Sequence, residues 1–258
     1  MFTRDFLIEV AKGNVAGHSL VNKFGFNDNI GATLAPIAAG SVYQTPTSAT
    51  SLEIVSTNSN DNASGTGART VEVQGLDANF DLQTETVSMN ATDGTIAAPL
   101  ANTYTRVFRV KVATSGTYAT QTGGSHVGTL TIRVSGGGAT WATIVTSAGG
   151  FPMGRTEIGV YTIPAGYTGY LLSKHVSIES AKVPDVLWFR REGADTVAAP
   201  FSTMRLFERH QGAASEILYQ PPAPSVVLPE KTDVGAMGYV TTGVAAVSVE
   251  FQILLVAN

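Results

Sequence analysis

At 258 residues with a formal net charge of −4, the chain is long enough to bury a sizeable core and to form one large or two modest domains. Charged residues make up 14%, against roughly a quarter in an average soluble domain, and there are 27 glycines and no cysteine. That composition excludes a disulfide-stapled scaffold and a polybasic nucleic-acid binder: counterion release needs clustered cations, and the densest run is the pair Arg190-Arg191, whose side chains point to opposite faces of a strand. No stretch approaches the roughly 18 apolar residues of a membrane-spanning helix, so neither a membrane nor nucleic acid is expected as a partner. A weakly charged, hydroxyl-rich surface is poorly protected against association, and a multimer is expected.

Residues 1–30 read as an extended N-terminal arm. Phe2, Phe6, Ile8 and Val10 alternate as on one side of an extended chain, and Leu20, Val21, Phe24 and Phe26 follow after breaks at Gly13 and Gly17. Phe2, Phe6, Ile8, Val10, Leu20, Phe24 and Phe26 are therefore the candidate interface to a partner or to a second copy. Two other readings stand beside it: a helix of one or two turns near Phe6 to Lys12, and a first strand tucked into its own domain.

Residues 31–138 read as a first β domain. Val71 and Val73 alternate with Thr70, Glu72 and Gln74, a turn follows at Asp77-Ala-Asn79, and the run from Leu82 supplies a hairpin partner. Apolar side chains on both faces of the run from Thr103 predict a strand buried on two sides, and Leu130, Ile132 and Val134 alternate cleanly. The glycines Gly136 to Gly138, with Gly149, Gly150 and Gly154 close behind, mark the expected boundary. Residues 139–258 then carry seven or eight short strands separated by turn signals every dozen or so residues, the pattern of a β-sandwich or jelly roll. The expected fold is all-β: two sandwich or jelly-roll-like domains behind an N-terminal arm.

Reactive chemistry is sparse. His18, His126, His175 and His210 are scattered, with no second ligand at metal-binding spacing. The loop from Asn58 to Gly67 is oxygen-rich but offers one acid, Asp61, so it reads as a long polar turn and not a calcium loop. Gly65-Thr-Gly67 leads into a strand, the reverse of a phosphate-cradling loop, and Gly17-His-Ser19 lacks the closing glycine of a nucleophile elbow. No catalytic residue, cofactor or metal is expected. Tyr161, Tyr167 and Tyr170 surround the turn Ile163-Pro-Ala-Gly166 and are the candidate loop-tip binding residues, with a glycan as their ligand.

Several stretches resemble uncharacterised virion proteins of tailed bacteriophages: Phe6 to Gly25, Asn60 to Asn90, Tyr161 to Leu172, Leu228 to Val234 and the closing Phe251 to Asn258. The resemblance implies a capsid-associated part, either a cement or decoration protein on the head or a head fibre or spike base. It further implies β-sandwich architecture, trimers at local three-fold axes, the major capsid protein as partner, and no catalytic residues to carry across. The expected location is the capsid surface of the virion after synthesis in the host cytoplasm, which the absence of cysteine suits. A glycan-binding spike or a tail protein is the alternative.

Overall fold

The computed structural model describes residues 5–120, 123–146, 150–178, 182–211, 216–219 and 226–258, the stretch 216–219 by its backbone alone. Phe2 of the candidate interface lies outside the described residues. The protein is all-β and antiparallel, as the sequence predicts, with one short α-helix, α1 (Phe6–Ala11), and one three-residue 3-10 turn at Ala39–Ser41 among the described residues. In chain order the strands begin with β1 (His18–Ile30), β2 (Ala35–Pro36), β3 (Thr50–Ser56), β4 (Ala68–Leu76), β5 (Leu82–Ser88) and β6 (Ala98–Tyr104). Then come β7 (Arg106–Ser115), β8 (Leu130–Val134), β9 (Thr140–Ile144), β10 (Val160–Thr162), β11 (Tyr167–Ile178) and β12 (Asp185–Arg191). The last are β13 (Arg205–His210), β14 (Glu216–Tyr219), β15 (Val227–Leu228), β16 (Asp233–Tyr239) and β17 (Ala245–Ala257).

The chain divides into two compact units, Met1–Ile37 with Gly159–Asn258, and Ala38–Ile158. In the first, the sheets run β1-β17-β11-β14 and β10-β16-β12-β13, with the two-residue β15 and β2 beside β11 and β16. Counting its eight longer strands in chain order gives 1-8-3-6 and 2-7-4-5, the strand order of a jelly roll. Period-two alternation builds its core. Val247, Val249, Phe251, Ile253 and Leu255 of β17 are buried, while Glu250 and Gln252 face out. Register then assigns neighbouring strands: Lys23 on β1 and Lys174 on β11 stand opposite Phe251 on the inner face. From the facing sheet, the Trp188 ring meets Phe251 edge-on at 5.7 Å.

The two sheets of this unit meet differently across their width. At the β1 and β10 edge the backbones touch: a Cβ on Gly25 would lie 2.2 Å from the Gly159 nitrogen, and one on Gly159 would lie 2.5 Å from a Val249 methyl. Only glycine fits such an approach. Near β11 and β13, by contrast, the Lys174 side chain stands between the sheets.

The second unit has a four-stranded sheet, β6-β3-β8-β9, and a three-stranded sheet, β5-β4-β7. The chain changes sheet at Thr105, the single residue between β6 and β7. Its amide donates to the Leu76 carbonyl at 2.9 Å and its hydroxyl to the Asp77 carbonyl at 2.7 Å. Opposite this corner a Cβ on Gly75 would sit 2.1 Å from the Arg106 carbonyl, so the corner needs a glycine there.

Two sequence expectations are corrected. Residues 18–30 of the expected arm follow instead the first-strand reading and form β1, paired with β17 from His18↔Val256 to Ile30↔Ala245, with Lys23, Gly25 and Asn27 buried on the inner face of the sheet. The expected boundary at Gly136 to Gly138 is instead the turn of the β8–β9 hairpin, where Gly136 and Gly137 take φ of 84° and 82°. Those conformations favour glycine, and the Glu53 carboxylate accepts from both amides at 2.9 and 3.1 Å. The spans 31–138 and 139–258 therefore do not correspond to the compact units; the second unit runs on through Ile158, and the first gathers both ends of the chain.

Candidate functional site: an apolar helix and a charged cleft

The N-terminal anchors separate into two groups. Asp5 caps α1 by accepting from the Ile8 amide at 3.2 Å, and Gly13, at φ of 76°, lies just past its end. These two signals override the period-two alternation of Phe6, Ile8 and Val10. The helix buries Val10 and leaves Phe6 and Ile8 about half exposed, with Leu7 beside them. Phe6 also meets the His18 ring edge-on at 5.7 Å. Leu20, Phe24 and Phe26 stand on the outer face of β1, half-buried, opposite Leu254, Glu250 and Ser248. Of the seven anchors, Phe6 and Ile8 are thus presented outward, and Val10 is committed to the chain's own packing.

The tyrosine cluster does not form. Tyr161 is buried on β10, and Tyr167 and Tyr170 are half-buried on opposite faces of β11, since three residues separate them on a strand. An aromatic that the sequence analysis passed over is the most exposed of its kind: Tyr118, 90% exposed in the loop after β7. Its signal was legible as a lone aromatic in a Ser/Thr/Gly run between Gly116 and Gly123.

A cleft of about 450 Å³ that no sequence motif announces lies in the jelly roll, lined among the described residues by Leu171, Lys174, Arg190, Phe207, Glu208, Val226 and Val227. Its members come from β11, β12, β13 and the approach to β15, so no linear spacing announces it. The Lys174 ammonium pairs with Glu208 and lies 5.4 Å from the Trp188 ring centre and 5.5 Å from that of Phe207. Burial pushes Lys174 down to about 8. Glu208 also takes His210 Nε2 at 2.9 Å; burial, with Lys174 nearby, lowers the His210 pKa and favours the neutral ring. Arg190 contacts Glu192 at 3.4 Å, while the same Glu192 oxygen holds Arg205 more closely, at 3.0 Å.

Elsewhere the polar residues organise loops. Asp61, in the loop read as a long polar turn, is fully buried. It accepts from Ser56 Oγ at 2.6 Å and from the amides of Ala68, Val127 and Gly128 at 2.8, 2.9 and 2.7 Å. His126, also buried, bridges the Gly128 carbonyl at 2.6 Å and the Gly154 amide at 3.2 Å. Glu85 gathers the Ala101 amide and the Tyr104 hydroxyl at 2.9 and 2.8 Å. No group of three or more His, Asp or Glu residues among the described residues is placed to hold a metal ion.

No protein-family model and no curated protein matches the chain. Among solved structures it is similar to infectious bursal disease virus, Gx strain, at 10% identity, covering 93% of this chain and 72% of that one with a TM-score of 0.25. The Gt strain of that virus matches at 11% identity over 93% and 77% with a TM-score of 0.22, and its VP2 subviral particle at 9% over 93% and 72% with 0.23. Similarity at that level carries no functional inference.

Proposed function

We propose that this chain is a virion structural protein that binds the outer capsid surface and stabilises the head by bridging neighbouring capsomers. The observation that supports this reading best is the jelly-roll strand order of the first unit, an architecture shared by viral capsid and lectin domains. Fold alone does not assign a role. The stretches that resemble tailed-phage virion proteins supply the context, and α1 supplies an adhesive surface: Phe6, Leu7 and Ile8 together expose apolar area that the chain's own core does not use. Each Å² buried against a capsomer contributes about 25 cal/mol before association costs. Repetition over a shell turns even roughly micromolar contacts into durable attachment. The major capsid protein is the proposed partner, and a homotrimer the proposed form.

The test is co-sedimentation with purified capsids. The double variant Phe6→Ser, Ile8→Ser is expected to fold as the parent does and to lose binding about tenfold or more. Undiminished binding would reject α1 as the docking element, and the parent's failure to co-sediment at all would reject the capsid reading.

A further inference from the structure

We propose that the cleft lined by β11, β12 and β13 of the jelly roll is a binding site for a small acidic sugar, a uronic-acid residue at the end or along the length of a polysaccharide. The cleft follows from how the sheets close. Gly25 and Gly159 bring the two backbones together near β1 and β10, whereas farther along the sandwich the Lys174 side chain of β11 stands between the sheets against Glu208, Phe207 and Trp188, and the cleft lies beside it. A volume of about 450 Å³ lies within the range of small-molecule sites.

The lining dictates the ligand. Among the described side chains, Lys174, Arg190 and Arg205 bring three positive charges to this network and Glu208 and Glu192 two negative, while the His210 ring beside them favours its neutral form. The network therefore carries an excess of one positive charge in a chain whose net charge is −4. A single carboxylate balances it. Arg190 is the group to receive that carboxylate, because its guanidinium presents a planar fork and its present partner, Glu192, is shared with Arg205 at the shorter distance. Glu208 can only accept hydrogen bonds, and the hydroxyls of a sugar are the donors that suit its remaining lone pairs. Phe207 offers a half-exposed ring for the C–H face of a pyranose, and Leu171, Val226 and Val227 form the apolar wall. An alkyl carboxylate would satisfy the cations and leave Glu208 nothing to accept from; a neutral sugar would leave the excess charge unbalanced.

The site is independent of where the protein docks on a particle, so isolated protein suffices to test it. Methyl β-glucuronoside, methyl β-glucoside and hexanoate would be titrated into the full chain and followed by NMR. The glucuronoside is expected to bind saturably, with shifts centred on Lys174, Arg190 and Phe207, and the other two at least about tenfold more weakly. Arg190→Gln, which changes a partly exposed side chain, is expected to weaken the glucuronoside about tenfold. Phe207→Leu is expected to weaken both the glucuronoside and the glucoside while leaving the charge intact. Equal binding of hexanoate or of the glucoside, shifts centred elsewhere, or no saturation by the glucuronoside would each overturn the assignment. So would an Arg190→Gln protein that folds and binds as the parent does.

Discussion

Single side chains decide where this chain holds charge. Lys174 reaches from one sheet to Glu208 of the facing sheet and keeps 2% of its side chain exposed, while Glu208 remains 30% exposed and offsets only part of the burial cost. The folded chain releases the Lys174 proton at about 8, whereas the unfolded chain releases it near the ordinary lysine value of about 10.4. Between those values the unfolded chain binds more protons, so stability rises with pH in that window; below it the cost is present in full. Lys174→Met is therefore expected to be more stable than the parent by roughly 1–3 kcal/mol at pH 7, an advantage that shrinks as pH climbs from 8 to 10. Urea melts of both proteins across that range would show it. That costly lysine, beside an arginine and an aromatic, is the position the proposed acidic-sugar site would use.

Asp61 is the opposite case, an acid whose surroundings are built for it. Three backbone amides and one hydroxyl converge on its carboxylate, drawing residues 56, 68, 127 and 128 into one knot. Asp61→Ala would strand the buried amides of Ala68 and Gly128, the part-buried amide of Val127 and the Ser56 hydroxyl, and a loss of about 3–5 kcal/mol is expected in equilibrium unfolding of the whole chain. Asp61→Asn, which keeps the shape and one acceptor, should lose distinctly less. The single acid of a loop that reads as a long polar turn is a buried node, because hydrogen-bond convergence is a property of the fold and leaves no spacing rule in the sequence.

At the scale of elements, β1 and its neighbours show how packing settles what periodicity leaves open. The alternation that places Phe24 and Phe26 on one side is real, but it belongs to a strand with one face on the core, where Gly25 must be small enough to touch Gly159. Gly25→Ala is expected to cost more than about 3 kcal/mol or to yield insoluble protein, since the added methyl would overlap backbone atoms and no side chain can give way. The helix α1 is separate from this: its first turn carries exposed Phe6, Leu7 and Ile8, and its cap and terminating glycine were both written in the sequence as Asp5 and Gly13. Deleting through Asn29 would therefore remove a core strand along with the adhesive helix, which is why substitutions on α1 and not truncation separate docking from folding.

For the whole molecule, the consequence of the topology is an insertion. The chain leaves the jelly roll after Ile37 and returns at Gly159, whose amide donates to the Ile37 carbonyl at 2.8 Å; on the other side, Ala38 and Ile158 bridge antiparallel within the second unit. Each unit thus has its two junctions side by side. Residues 38–158 expressed alone are expected to fold cooperatively, and replacing them by a short Gly/Ser linker is expected to leave a folded jelly roll. Circular dichroism and amide exchange on the two proteins would check both; absence of a cooperative transition in either would show that the units need one another.

The sequence by itself determined the strand content, the turn-rich all-β class and the core alternation of β17, because side-chain period and glycine or proline punctuation act locally along the chain. It also held the signals for α1 and for the exposed Tyr118. Only the tertiary structure decided which strands pair, that residues 18–30 close a sheet begun 200 residues later, that three glycines after Val134 turn a hairpin and do not separate domains, and that Lys174, Arg190, Phe207 and Glu208 share one cleft. Those outcomes depend on long-range register and on how closely two backbones can approach, and neither quantity is encoded in the spacing of neighbouring residues.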